Sequence, residues 1–144
     1  MPDYRLIAAY RATAYHVAAD PPLALRVGVR LPASDDLLQR HGVRSAAFLT
    51  AWNPLGQALD RSANDAAQVR LAQDVTAMGL TWLPGEGRGH DTEWPPEHSL
   101  FILGIGRSPA IDLSRRFRQN AFVWVNAGLA PELILTAPIA EGRP

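Results

Sequence analysis

Ala46-Ala47-Phe48-Leu49-Thr50-Ala51-Trp52-Asn53-Pro54 is the stretch whose reading decides the fold. An apolar run stops abruptly in polar, turn-forming residues. Residues 46–51 therefore read as a buried strand that delivers Thr50, Trp52 and Asn53 to the end of a sheet. A strand end holds side chains rigidly, and the loop that follows leaves them accessible. That loop, 53–62, is rich in Pro, Gly and polar residues. Asp60 or Ser62 can cap the next helix, in which Ala63, Ala67, Leu71, Val75 and Met78 recur every three or four residues as far as Gly79.

Downstream, residues 80–83 read as a short strand, and 84–96 as a connection too glycine-rich for regular structure. Residues 99–106 form a nearly continuous apolar run, the pattern of a strand buried on both faces. Ser108-Pro109 supplies an N-cap and a proline for a helix with Ala110, Ile111, Leu113 and Phe117 inward, broken at Gln119-Asn120. Strands over 121–125 and 133–135 follow, joined by a turn at 126–128. The order strand, helix, strand, strand, helix, strand, strand predicts an α+β, single-domain two-layer sandwich. Its sheet is mainly antiparallel with helices on one face, in the split βαβ pattern of ferredoxin-like folds.

Upstream of the deciding stretch, Leu6, Ala9, Tyr10, Thr13 and Ala14 keep helical spacing from Pro2-Asp3 for about three turns. Tyr15-His16-Val17 is extended. After Asp20-Pro21-Pro22, alternation of Leu23, Leu25, Val27 and Val29 with Ala24, Arg26, Gly28 and Arg30 predicts an extra, half-buried strand. Ser34 as N-cap, the acidic pair Asp35-Asp36 and a closing Gly42 predict a short helix over 35–41. Residues 1–144 are expected to form a single domain with a frayed tail at 140–144.

A chain of 144 residues should bury roughly 70% of the surface its unfolded form exposes, and with 47% apolar and 19% charged residues it is not a disordered composition. A formal charge of zero argues against a dedicated nucleic-acid binder. Every one of the 14 cationic residues is arginine, which the codon bias of a GC-rich genome explains better than a demand for guanidinium groups. The absence of cysteine excludes disulfides, thiolate metal sites and a Cys nucleophile. No run approaches the ~20 apolar residues of a membrane span, and the N-terminus lacks a signal-peptide layout. No membrane partner is expected, and the default location is cytoplasmic.

Polar residues gather at element ends. Trp52 offers an aromatic face; Asn53, Asn64, Gln119 and Asn120 offer amides, and Arg70 a guanidinium, for a polar ligand. Each has a plainer role open to it: turn initiation for Asn53-Pro54, capping for Asn64, backbone satisfaction for Gln119-Asn120. Glu97 is a candidate general acid or base with Thr50 or Ser99 as the assisted hydroxyl, or else a solvated strand entry. His16, His41, His90 and His98 are too scattered for a ligand set. His90, Asp91 and Glu93 share one loop, but no metal site is expected. Gly85, Gly87 and Gly89 match no phosphate loop. Arg115, Arg116 and Arg118 form a basic cluster that suits a helix C-terminus or phosphate contact. No cofactor is implied.

Leu6-x-x-Ala9-Tyr10-x-x-Thr13-x-Tyr15, Thr50-Ala-Trp-Asn-Pro54, Asn64 with Arg70 and Leu71, Trp94-x-x-Glu97-x-Ser99 and Phe117-x-Gln119-Asn120-Ala121 together resemble the small bacterial "domain of unknown function 3293" family. The resemblance extends over nearly the whole chain with conservative departures. It implies a stand-alone bacterial cytoplasmic domain and brings no activity with it. The leading expectation is a domain that binds a small polar or nucleotide-like molecule at the end of strand 46–51. The alternatives are a small hydrolase or transferase using Glu97, and an interaction module that pairs through Val29 or residues 133–135, or as a homodimer.

Overall fold

The computed structural model describes residues 4–89 and 96–136. Its helices are α1 (Tyr4–Ala12), α2 (Pro32–Arg40), α3 (Arg61–Ala77) and α4 (Arg107–Arg116). The strands are β1 (Ala14–Val17), β2 (Leu23–Leu25), β3 (Ser45–Leu49), β4 (Thr81–Arg88), β5 (Glu97–Leu103), β6 (Ala121–Asn126) and β7 (Glu132–Leu135). They form one sheet in the order β2-β1-β4-β5-β3-β6-β7, antiparallel at every pairing. The fold is thus α+β, built on an antiparallel sheet.

Both faces of the central strands are buried, which explains their unbroken apolar sequences. On one face, Ala47, Leu49, Leu100, Ile102, Phe122 and Trp124 meet Ala67, Leu71 and Val75 of α3 and Ala110 and Leu113 of α4. The other face holds Ala46, Phe48, Phe101, Leu103, Val123 and Val125, against Leu37 and Leu38 of α2, Leu23 and Leu25 of β2, and Tyr15 and Val17 of β1.

The flat two-layer sandwich expected from the sequence is not what forms: the sheet curls into a half-barrel. The curl is fastened by polar contacts between chain regions beyond its two ends. Gly28 N donates to Pro131 O (2.9 Å), Arg30 Nε to Gly128 O (3.0 Å), and Gly128 N to Asp35 Oδ1 (2.9 Å).

Five elements differ from their sequence pattern. The strand expected over 23–29 ends at Leu25, because Gly28 adopts a left-handed φ of 82° and turns the chain back so that Arg26 bridges Val29. The second helix starts at Pro32, with Leu31 as its N-cap; Ser34 lies inside it and bonds back to Leu31 O (2.8 Å). The fourth helix is capped by Gly106, not Ser108. β5 begins at Glu97 and stops at Leu103, before the left-handed Gly104.

The largest difference is β4, which runs on through Pro84, Gly85 and Gly87 to Arg88 where a loop was expected. Gly85 is required there: a Cβ would lie 2.7 Å from Phe48 Cε2 and 2.9 Å from His16 O. Sheet pairing on both sides of β4 and the bulk of Phe48 overrule the local preference of glycine for loops. The expected frayed tail at 140–144 and the His90, Asp91 and Glu93 group lie outside the described residues.

Candidate functional site

The sheet face opposite α3 and α4 is packed with apolar side chains at one end only. At the other end α1 lies over it, and small residues leave a gap between helix and sheet. In the strand register Tyr15 stands opposite Gly87, and Gly87 opposite Glu97; Val17, Gly85 and Ser99 form the next row. Directly paired residues project to the same side, so Gly87 leaves a gap between Tyr15 and Glu97, while the space over Gly85 is taken by the Phe48 ring.

The result is a cavity of about 540 Å³, within the ~300–1,000 Å³ of typical small-molecule sites. Leu6, Ala9, Tyr10 and Thr13 line it from the α1 side; Tyr15, Phe48, Gly87 and Val123 line it from the sheet. Its polar end is formed by Thr50, Trp52, Asn53, Glu97, Ser99, Gln119 and Asn120. Most sequence candidates therefore border one space. Asn64 and Arg70 do not.

The polar end is tightly bonded. Thr50 Oγ1 donates to His98 O (2.6 Å) and accepts from Trp52 N (3.0 Å), while the Trp52 ring meets His98 edge-on at 5.2 Å. Asn53 holds a left-handed φ of 45°. It is fixed by a reciprocal pair with buried Asn64: its N donates to Asn64 Oδ1, and Asn64 Nδ2 donates to its Oδ1, both at 2.8 Å. Asn53 Oδ1 also takes Leu59 N (3.0 Å), so Asn64 fastens the loop behind the cavity. Gln119 Nε2 donates to Trp52 O (3.3 Å) and Phe117 O (3.2 Å), joining the two segments that form this end. Ser99 Oγ donates to the main-chain O of Glu97 (3.2 Å).

Three ionisable groups are displaced by this enclosure. Burial raises the Glu97 carboxyl above its ordinary range, because removal from water disfavours the charged form. Burial also pushes the Tyr10 phenol up to about 12, with the negative charge of Glu97 adding to the rise and a side-chain hydrogen bond with Asn120 opposing it. Tyr15 is raised chiefly by burial as well, with Tyr10 and Glu97 contributing, and its hydroxyl donates to Tyr10 O (2.8 Å).

Tyr10 and Tyr15 were not among the sequence candidates. They were legible only as helix spacing and as parts of the resemblance motif. Their role depends on the chain turning from α1 directly into β1, which folds Tyr15 back beneath Tyr10.

Arg70 borders a second cavity, of about 430 Å³, near Gln73, Asp74, Arg116 and Arg118. No group of three or more His, Asp or Glu side chains able to hold a metal occurs among the described residues. No described helix is long and apolar enough to cross a membrane.

Fold and site define an α+β protein with a curled antiparallel sheet and a chamber beneath its first helix that is lined by apolar and polar side chains and one carboxyl. The chain belongs to the family "Protein of unknown function (DUF3293)", whose model matches residues 49–122, just over half its length. That match takes in the Thr50–Pro54 and Phe117–Ala121 segments and leaves Tyr10 and Tyr15 outside it. Neither the curated proteins nor the solved structures compared with the chain give a match.

Proposed function

We propose that this protein binds a small polar molecule, neutral or cationic and of nucleoside size, in the chamber between α1 and the sheet at the end of β3. The observation that carries this reading is the lining itself. It has an apolar and aromatic body, several convergent polar groups and a carboxyl displaced by burial, the combination expected of a ligand site. Among the described residues, one carboxyl and no basic side chain border it. A phosphate would find no counter-charge there, so a nucleoside-like ligand fits better than a nucleotide. Tyr10, Asn120 and Glu97 are the groups placed to read its polar edge, and Trp52 borders the mouth.

The competing reading, a hydrolase or transferase using Glu97 with Thr50 or Ser99, has the displaced carboxyl in its favour. Against it, both hydroxyls donate to main-chain carbonyls and not to the carboxyl. Binding is the better supported of the two.

Thermal shift with adenosine and adenosine monophosphate, among a panel of planar polar compounds and their phosphorylated forms, tests the proposal. Gly87→Leu is the blocking variant: its first added atom meets only ordinary contacts with Thr13 and Tyr15, and the rest fills the chamber. An unphosphorylated compound should raise the melting temperature of the wild type and not of Gly87→Leu. A panel without any such compound, or one that shifts both proteins equally, would sink the reading.

A further inference from the structure

Three helices end in the same hydrogen-bond pattern, and one of them uses a residue the pattern disfavours. At the end of α2, Gly42 N bonds Gln39 O and Val43 N bonds Leu38 O; at the end of α3, Gly79 N bonds Thr76 O and Leu80 N bonds Val75 O. At the end of α4, Arg118 N bonds Arg115 O (3.0 Å) and Gln119 N bonds Ser114 O (2.9 Å). This is the Schellman cap, whose left-handed residue is usually glycine. Gly42 and Gly79 meet that demand with φ of 69° and 79°, whereas Arg118 holds 57° with a side chain attached. In that conformation a β-carbon crowds the following carbonyl oxygen.

Arg118 borders the second cavity with Arg70 of α3 and Arg116 of α4. Its apolar lining includes the buried Ala51 and Ala67 and the partly buried Phe117, while Arg70, Arg116 and Arg118 are themselves exposed. The bordering residues include three guanidinium groups and one carboxylate, Asp74, which pairs with Arg116 at 3.2 Å. Among the described residues, neither Arg70 nor Arg118 has an ion-pair partner. The negative end of α4 accounts for Arg115 and Arg116. It does not account for Arg70 on another helix, or for arginine at the glycine position of a cap.

We propose that this second cavity is an oxyanion site, in which Arg70 and Arg118 receive a phosphate or carboxylate group while Asp74 holds Arg116 in place. Guanidinium groups present planar, forked donors that match either oxyanion. The site is distinct from the chamber on the opposite face of the sheet, which the Glu97 carboxyl and no basic side chain borders among the described residues, and its ligand is of the opposite electrostatic kind.

The test titrates the full chain with sodium phosphate, sodium acetate and sodium chloride at matched pH and ionic strength, reading melting temperature. Phosphate or acetate should raise it where chloride does not, and the larger response identifies the head group. Arg118→Gly relieves the cap and should melt at or above wild type, yet need roughly tenfold more oxyanion for the same shift, the scale of one charge-assisted hydrogen bond. Arg70→Gln, at an exposed position with no ion pair, should show the same loss, and the double variant should respond no more to oxyanion than to chloride. Equal wild-type responses to all three salts, or an undiminished oxyanion response in the double variant, would overturn the proposal.

Discussion

The two faces of the sheet use the same strands and end differently. On the α3 and α4 side, apolar side chains from six strand and helix segments interlock into one continuous core. On the other side the same treatment covers only the half beneath α2; beneath α1 the strands supply Gly87 and Ser99, and the packing stops. The first face stabilises the fold. The second face gives up part of that burial, and the space it leaves is where ionisable groups become displaced. The open volume thus lies beside the carboxyl that burial perturbs.

That contrast can be broken from either side. The largest loss is expected on the closed face: Leu71→Ala removes a fully buried side chain from the core and should cost about 2–5 kcal/mol in chemical denaturation. A small effect there would mean that this face is not the principal source of stability. At the boundary between packed and open halves, Gly85→Ala forces a methyl against Phe48 and the His16 carbonyl and should cost about 1–3 kcal/mol.

The smallest effect belongs to the open half and has the opposite sign. Glu97 binds its proton more tightly when folded than when unfolded. Its contribution therefore favours folding at pH below the ordinary carboxylate range, and is lost as pH rises through the raised folded value. Glu97→Gln should consequently raise the melting temperature at neutral pH and flatten its dependence between mildly acidic and neutral pH. A variant that melts lower at pH 7 would show instead that the ionised carboxylate has a favourable partner.

Much of the architecture was legible because burial on both faces writes itself as unbroken apolar runs, as in residues 100–103, and because α3 carries both its cap at Asp60 and its stop at Gly79. The second half of β4 was not, since Pro84, Gly85 and Gly87 are strand-breaking by local preference and only Phe48, far away in sequence, explains them. The start of α2 was misplaced because Ser34 is a good cap in isolation, while Pro32 at the first turn decides the matter. At the site, residues on strand ends could be nominated from the edge of an apolar run. Their division between two cavities could not: Trp52 and Asn53 border one cavity while their neighbours Ala51 and Pro54 border the other with Arg70, and sequence spacing carries no sidedness across a loop.

Gly87 of β4 bears on the size of the chamber. It has no left-handed φ to demand glycine, and a Cβ there would meet only ordinary contacts, Thr13 Cγ2 at 3.7 Å and Tyr15 Cδ1 at 3.9 Å. Alanine, serine or valine could occupy the position in turn, each shortening the chamber from its floor while α1 and the polar end stay where they are. One codon would then set the length of the cavity in an otherwise identical frame.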